Sequence, residues 1–440
     1  MTMTNVRFAL EQRLSDALSA PLEGSTRRDV RIPAIPGKAV AVTGVRRAGK
    51  TTFLRQQLAR RLDEGVPREA LLLLGLEDDR LTGLGADDLD WVLEEYFRRH
   101  PGLRGTGRVT LCLDEIQVVP GWERFVRRLL DTERMDLLVS GSSAKLLSRE
   151  VATSLRGRGI EVLVHPFSFR ESLRHTGDEP DRPWNTMDAG SRSSIDARLR
   201  NYLEVGGFPE AQGLEPQDRW ALLRGYVDVM TLRDVIERHA VSNPTALLWL
   251  QRHLLSNPAS SFSISKLFGA LKSQGIPVGK DTLHEYLDHL TDAFMIRTLW
   301  MHSASERQRM VNPRKVYPVD PGLIPLFERS GRGNRGHALE TVVLLELERR
   351  SWTVEHLRTP EGEVDFFATR PGSSPLVVQV AADTGSPETL ARELRGLEEG
   401  LAAHPRAEGL LLTMDHAPPR TALPRRATWT SASAWLLEED

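Results

Sequence analysis

The chain has 440 residues, a length that suits about three domains, each able to bury its own core. A net charge of −2 excludes a polycation, so any nucleic-acid contact must come from a local basic patch. The single cysteine, Cys112, excludes an internal disulfide and a cysteine zinc site and suits a reducing cytosol.

No apolar run approaches the ~20 residues that span a bilayer. The opening MTMTNVRFALEQ lacks the pattern of a signal peptide. The expectation is therefore a cytoplasmic protein with no membrane partner. Residues 5–20 read as a short amphipathic helix with Val6, Ala9, Leu10, Leu14, Ala17 and Leu18 on one face. Residues 21–36 are proline-rich, and residues 1–36 form a helix and linker.

Residues 37–170 alternate strand and helix, the signature of a parallel α/β sheet. Strands are predicted at 39–42, 70–76, 109–113, 137–140 and 161–164, with helices at 52–63, 89–100, 122–132 and 145–155. Between the first strand and first helix stands GVRRAGKT, residues 44–51, which fits G-x-x-x-x-G-K-[ST]. Strand, glycine loop and helix wrap backbone N–H groups around phosphates, and the helix N-terminus adds partial positive charge. Gly44, Arg47, Ala48, Gly49, Lys50, Thr51 and Thr52 are the nucleotide-binding candidates. Lys50 would reach the β- and γ-phosphates of ATP, and the Thr51 hydroxyl would ligate Mg²⁺.

The third strand runs VTLCLDEIQ and ends in Asp114 and Glu115. Ligands bind at the carboxyl ends of parallel strands, which places Asp114 on the Mg²⁺ and Glu115 as general base toward the attacking water. The fourth strand leads into Ser140, Ser142 and Ser143. Ser142 is a candidate to orient that water, and helix capping is the competing role. Arg156 and Arg158, in LRGR, are candidates for an arginine finger that completes a neighbouring subunit's site; the alternative is a solvated helix end. Glu77 and Asp78 follow the second strand, either near the magnesium or in a solvated turn.

Residues 171–255 read as a helical lid, interrupted by GGFPE. Pro209 there is a nucleotide-contact candidate, with an interhelical turn plugged by Phe208 as the alternative. In 256–330, helices at 263–271 and 280–290 are followed by apolar strands at 293–300 and 315–319 around a basic connector, a winged helix-turn-helix arrangement. Lys280, Thr282 and His284 on the second helix, and Arg307, Arg309, Arg314 and Lys315 on the wing, are the DNA-contact candidates. Asp281, Glu285, Asp288 and Asp292 make that helix acidic, which favours the wing and keeps interdomain packing open as its other role.

Residues 331–440 give a helix (338–350), three strands (354–357, 364–368, 376–380), a helix (387–403) and a strand (409–413). That is the core order of the restriction-endonuclease-like fold. Such nucleases bind Mg²⁺ through a helix Glu, a strand Asp and a Glu-x-Lys element. Here Glu340 and Asp365 stand at the first two positions, but Gln379 and Ala381 replace Glu and Lys, so the motif reads as a vestigial nuclease without cutting activity.

Together TGVRRAGKTT, LCLDEIQVVPGWERFVRRLLD, VSGSSAKLL, SLRGR, HPFSFRE, GGFPE, KVYPVDPGL and GEVDF resemble a family of AAA-type ATPases of bacteria and archaea with a C-terminal domain of unknown function. The likeness covers residues 38 to 370, and QVAADTGSPETLARELRGLEEG extends it nearly to the end. It implies a P-loop core, helical lid, winged helix and nuclease-like end, and use of ATP and Mg²⁺ through Lys50, Thr51, Asp114 and Glu115. The expected function is an oligomeric, DNA-binding AAA+ ATPase, for example a hexameric ring, working on duplex or branched DNA in repair, recombination or defence. No small-molecule substrate other than ATP is expected. The alternative is a STAND-type switch that alternates between ATP and ADP states and binds a protein partner.

Overall fold

A computed structural model of the chain describes residues 3–22, 25–141, 155, 157–303, 305–311, 313–328, 334–360 and 362–438. Two compact units divide it, Met1–His165 and Pro166–Asp440.

The first unit is built on a parallel sheet of β1 (Ala39–Thr43), β2 (Leu71–Gly75), β3 (Val109–Asp114), β4 (Met135–Ser140) and β5 (Gly159–Leu163), in the order β2-β3-β4-β1-β5. β1 and β3 are buried along their whole length, as apolar runs in a sheet covered on both faces must be. β4 lies between β1 and β3, so the end of β4 is interposed between the glycine loop and the acidic pair. Helices α2 (Lys50–Asp63), α3 (Ala86–Arg99) and α4 (Trp122–Thr132) form the crossovers. The opening helix α1 (Met3–Ser19) lays Val6, Ala9, Leu10, Leu14 and Ala17 into the same core as Leu72, Leu89 and Phe125. Cys112 is fully buried, and burial pushes its thiol up, the behaviour of a small core residue. The fourth predicted helix, at 145–155, lies almost wholly outside the described residues, with only Leu155 inside them.

The second unit opens with α5 (Phe169–Thr176), capped by the Ser168–Glu171 box, and α6 (Ala189–Val205). α7 (Pro216–Val229) then runs into a π-helical stretch, Met230–Glu237, and α8 (Pro244–Ser256) follows. The helix pair α9 (Ile264–Ser273) and α10 (Lys280–Asp292) precedes a three-stranded antiparallel sheet in the order β6-β8-β7: β6 (Ser260–Phe262), β7 (Ile296–Leu299), β8 (Arg314–Pro318). The connector between β7 and β8, expected as the basic wing, carries the short helix α11 (Glu306–Val311). After α12 (Ile324–Phe327) comes α13 (Arg335–Arg349). A mixed five-stranded sheet then follows, ordered β13-β12-β11-β10-β9: β9 (Thr353–Arg358), β10 (Glu363–Thr369), β11 (Leu376–Ala381), β12 (Glu408–Thr413) and β13 (Ala427–Ser431). Its first three strands pair antiparallel and its last three parallel, with α14 (Pro387–Ala403) crossing from β11 to β12 and α15 (Ala432–Leu437) at the end. β6, β13 and α15 are additions to the predicted elements. Among the described residues no helix is long and apolar enough to cross a membrane.

The GGFPE and VDPGL segments meet inside this unit. Asp320 is fully buried and accepts the Gly207 N–H (2.7 Å) and the Gly322 N–H (2.9 Å). A side chain at Gly207 would put Cβ 2.2 Å from the Phe167 carbonyl oxygen, so only glycine fits. Phe208 is buried against Tyr226, so it plugs this junction, and Pro209 opens the short turn Pro209–Ala211. Burial outweighs the two N–H bonds and raises the Asp320 carboxyl to about 7.

Candidate active site

The glycine loop follows from local chemistry. Gly49 sits at φ 94° and Gly44 at φ 143°, both in the left-handed region, and a Cβ on Gly44 would lie 2.2 Å from the Val164 carbonyl oxygen. Arg47, at φ 68°, is exposed at the tip. Lys50 is buried, and its Nζ donates to the carbonyls of Gly44 (3.0 Å) and Val45 (3.2 Å), the bonds that phosphate oxygens would replace. Arg28, in the linker before β1, donates to the Ala48 carbonyl (2.9 Å) and to the His165 carbonyl, bracing the loop. Thr51 and Thr52 continue α2, where backbone N–H groups and the helix dipole face the loop.

A relay of hydrogen bonds joins this loop to the next two strands. Thr51 Oγ1 donates to Asp114 Oδ2 at 2.6 Å. Ser140 Oγ donates to the other oxygen, Asp114 Oδ1, and accepts the Glu115 N–H at 3.1 Å. Burial raises the Asp114 carboxyl, against the lowering influence of Ser140 and Thr51. A buried acid beside a hydroxyl, both aimed at a phosphate cradle, is the donor set a hard divalent cation takes, so the residues fit Mg²⁺. Glu115 turns out of the strand in a left-handed conformation (φ 56°), and Gln117 Nε2 donates to its Oε2, which fixes the carboxylate. The sequence reading placed the polar end of β4 here but chose Ser142. Ser142 lies outside the described residues, and Ser140 is the serine that touches both acids. The strand ladder carries that signal: Ser140 is the last residue of β4, in register with Val42 of β1.

Arg156 also lies outside the described residues. Arg158 immediately precedes β5, at the amino edge of the sheet and a strand's length from its own glycine loop, and it pairs with Asp131. Asp78 is bonded by Arg13 and Arg80 and caps the turn Asp79–Leu81; Arg80 and Arg13 hold its carboxyl well below the usual range, so the acid is structural.

The second unit holds a cleft of about 800 Å³ at the edge of the mixed sheet. Glu340, Asp365 and Gln379, widely spaced in sequence, all line it. Asp365 sits in a bulge of β10, between Val364 and Phe367. Its Oδ2 accepts the Val380 N–H (3.0 Å). Gln379 accepts the Asp365 N–H (3.4 Å) and donates through Nε2 to Glu393 of α14. Burial, then the Asp365 charge, raises Glu340; burial also raises Asp365, against Lys315 and the Val380 N–H.

Lys315 corrects the wing reading. It was expected on the surface with Arg307, Arg309 and Arg314, but it is buried, with Nζ 3.1 Å from Glu363 Oε1 and 3.4 Å from Asp365 Oδ1. Burial alone would lower its ammonium; Asp365, Glu340 and Glu363 outweigh burial and raise it. The cause is the strand period: Lys315 and Tyr317 share a face of β8, and the Tyr317 hydroxyl donates to Glu340 at 3.4 Å. Two of the three wing arginines are engaged as well. Arg314 stacks 3.6 Å over Trp300, and Arg309 pairs with Glu355 at 3.1 Å. Lys280, His284 and Arg307 remain on the exposed surface, and Thr282 is half-buried.

Comparison with known proteins agrees with the first unit. Residues 36–173 match the family described as AAA domain, and residues 196–330 match a domain of unknown function, DUF8612. The first unit is thus a P-loop ATPase domain of the AAA type. An uncharacterized protein of Haemophilus influenzae is 30% identical over 77% of this chain and 81% of its own length, and the chain belongs to the same family. Uncharacterized protein MJ1544 of Methanocaldococcus jannaschii is 29% identical over 91% of this chain and 87% of its own. Among solved structures, the Walker-type ATPase PABY2304 of Pyrococcus abyssi is similar at 15% identity, covering 73% of this chain and 95% of its own, with a TM-score of 0.40.

Proposed function

We propose that the chain is an ATP-hydrolysing, DNA-associated protein that works as a homo-oligomer. The observation that carries hydrolysis is the relay Thr51–Asp114–Ser140–Glu115, which couples the cation-holding groups to the general base by direct hydrogen bonds. In this reading Lys50 and the loop N–H groups bind the ATP phosphates and Thr51 and Asp114 hold Mg²⁺, which offsets the charge on the transferred phosphoryl group. Glu115 accepts the proton of the attacking water, and Ser140 fixes its backbone. Pro209 and Ser142 are kept as proposed nucleotide-site residues.

Oligomerisation rests on Arg158 as a finger candidate: it lies at the amino edge of the sheet, so a nucleotide that it serves belongs to a neighbouring copy. Arg156 is proposed as the second finger candidate.

The DNA-associated part rests on two features of the second unit. Its helix pair α9–α10 with the β7–β8 hairpin supports a winged-helix reading, with Lys280, Thr282, His284, Arg307, Arg309 and Arg314 as contacts. The mixed sheet with α13 and α14 supports a nuclease-like fold, and Lys266, Arg358, Arg392 and Arg395 line its cleft.

The test is ATP turnover by the full chain with and without single-stranded, duplex and four-way-junction DNA, together with binding at rising salt. Stimulation and salt-sensitive binding are expected. A monomer that purifies with ADP, ignores all three DNAs and assembles only on a trigger would replace this reading with the switch.

A further inference from the structure

Two helix ends converge in the second unit, and each brings metal-ligating side chains to the meeting point. α7 continues as the π-helical stretch Met230–Glu237, and His239 stands two residues beyond its end. α10 carries His289 and Asp292 in its last turn, three residues apart and therefore on one face. The ligand atoms of His239, His289 and Asp292 all lie within 4.8 Å of one another. Among the described residues no other group of three such side chains is gathered so closely. The two imidazoles are stacked, with 3.8 Å between ring centres and 8° between their planes. All three side chains are half-buried, so solvent and ions can reach them.

The backbone favours a cation at the same point. Both helices close with the same hydrogen-bond motif: the Val241 N–H donates to the Ile236 carbonyl (3.1 Å), and the Met295 N–H to the Leu290 carbonyl (3.1 Å). The left-handed residues of the two motifs are Ala240 (φ 47°) and Phe294 (φ 56°), where glycine is the usual occupant. The negative ends of two helix dipoles thus lie at the cluster, and they stabilise positive charge. π-helical stretches are uncommon and recur at functional sites, and here one leads directly into the first ligand.

We infer that His239, His289 and Asp292 form a binding site for one divalent transition-metal ion, Zn²⁺ by its donor set, which ties the end of the π-helical segment to the end of α10. Two imidazole nitrogens and one carboxylate oxygen suit a borderline first-row cation, with water completing the coordination. Mg²⁺, the cation that fits the glycine loop, prefers oxygen ligands, so the two sites do not compete for one ion. Parallel rings cannot both aim an in-plane lone pair at the same ion. Binding therefore turns the imidazoles out of their stack and draws the ligand atoms to about 2.0–2.2 Å from the metal. The role assigned to the ion is structural: it pins the second helix of the α9–α10 pair to the helical run that precedes α8. This inference goes beyond the ATP-hydrolysing, DNA-associated reading and does not depend on it.

The experiment uses the full chain, stripped of metal with a chelator and titrated with Zn²⁺ by calorimetry in excess Mg²⁺. One Zn²⁺ should bind per chain at this site. His239→Gln and His289→Gln should each weaken that binding by roughly 10–100-fold or more, since even a lost outer-shell partner costs that much. Asp292→Asn should weaken it as well, whereas His175→Gln, on α5, should bind as wild-type protein does. Circular dichroism melting shows that each variant is folded. Zn²⁺ should also raise the thermal midpoint of the wild-type chain and leave that of His239→Gln unchanged. A second readout needs no variant: Zn²⁺ should protect His239 and His289 of the wild-type chain from modification by diethylpyrocarbonate, mapped by mass spectrometry. Zn²⁺ affinity unchanged in both His→Gln variants, binding abolished by the excess Mg²⁺, or no protection of either imidazole would each overturn the inference, leaving a stacked histidine pair that only packs two helix ends together.

Discussion

Two sites in this chain combine a buried lysine with buried carboxylates, and they are assembled in opposite ways. At the glycine loop, Lys50 and Thr51 are adjacent in sequence, and Asp114 and Glu115 are adjacent at the end of one strand. In the cleft, Lys315, Glu340, Asp365 and Glu393 come one each from β8, α13, β10 and α14. The first arrangement needs the loop backbone itself, because N–H groups bind the phosphates, and so it cannot be dispersed. The second needs only side-chain atoms at suitable points, and any element that passes nearby can deliver one. A site built from backbone stays contiguous in sequence, whereas a site built from side chains is free to exchange its contributors.

The largest effect that sharpens this contrast is expected from Glu115→Gln. Phosphate release should fall roughly 10²–10⁴-fold with ATP binding retained, because a general base is lost while the cradle stays intact. An equal loss in Lys315→Met would break the contrast by tying the two sites into one activity. Next is Gly207→Ala. Its Cβ would meet the Phe167 carbonyl at 2.2 Å, and overpacking at a point without slack should cost about 3 kcal/mol, read from the urea midpoint of the second unit.

Asp320→Asn should cost about 1–3 kcal/mol, since an amide NH₂ facing the Gly207 or Gly322 N–H leaves that donor unsatisfied. It should also change the pH profile. The Asp320 carboxyl is raised from 3.8 to about 7 in the folded chain, so the folded state holds its proton more tightly than the unfolded state does. Its contribution to stability is full below the unfolded value and is lost as pH rises toward about 7. Denaturation midpoints of wild-type protein should fall across that window through this group, and the Asn variant should be flatter. The smallest effect is expected from Ser140→Ala, about tenfold in turnover, by loosening Asp114 and Glu115 while removing neither.

Apolar runs were enough to mark the strands of the parallel sheet, and helical periodicity the crossovers α2, α3 and α4 between them, because a strand covered on both faces reads as a hydrophobic run. The short additions escaped: β6 has three residues, and β13 and α15 follow a proline-rich turn with little periodicity to mark them. Lys50, Thr51, Asp114 and Glu115 were legible because their chemistry is local. Lys315 was misread because its basic neighbours Arg307, Arg309 and Arg314 suggested a surface, although its two-residue spacing from Tyr317 already placed both on one side of a strand. Glu393 could not be found at all, since only the turn from β11 into α14 brings it back to Gln379.

Arg28 connects two points of the first unit that are 117 residues apart in sequence, the carbonyl of Ala48 in the glycine loop and that of His165, the unit's last residue. The neighbouring Val164 carbonyl fills the space where Gly44 lacks a side chain. The loop that grips phosphate is thereby laced to the strand end from which the chain departs. One arginine, in a linker with no motif of its own, thus stitches the backbone of the nucleotide loop to the last residue of its domain.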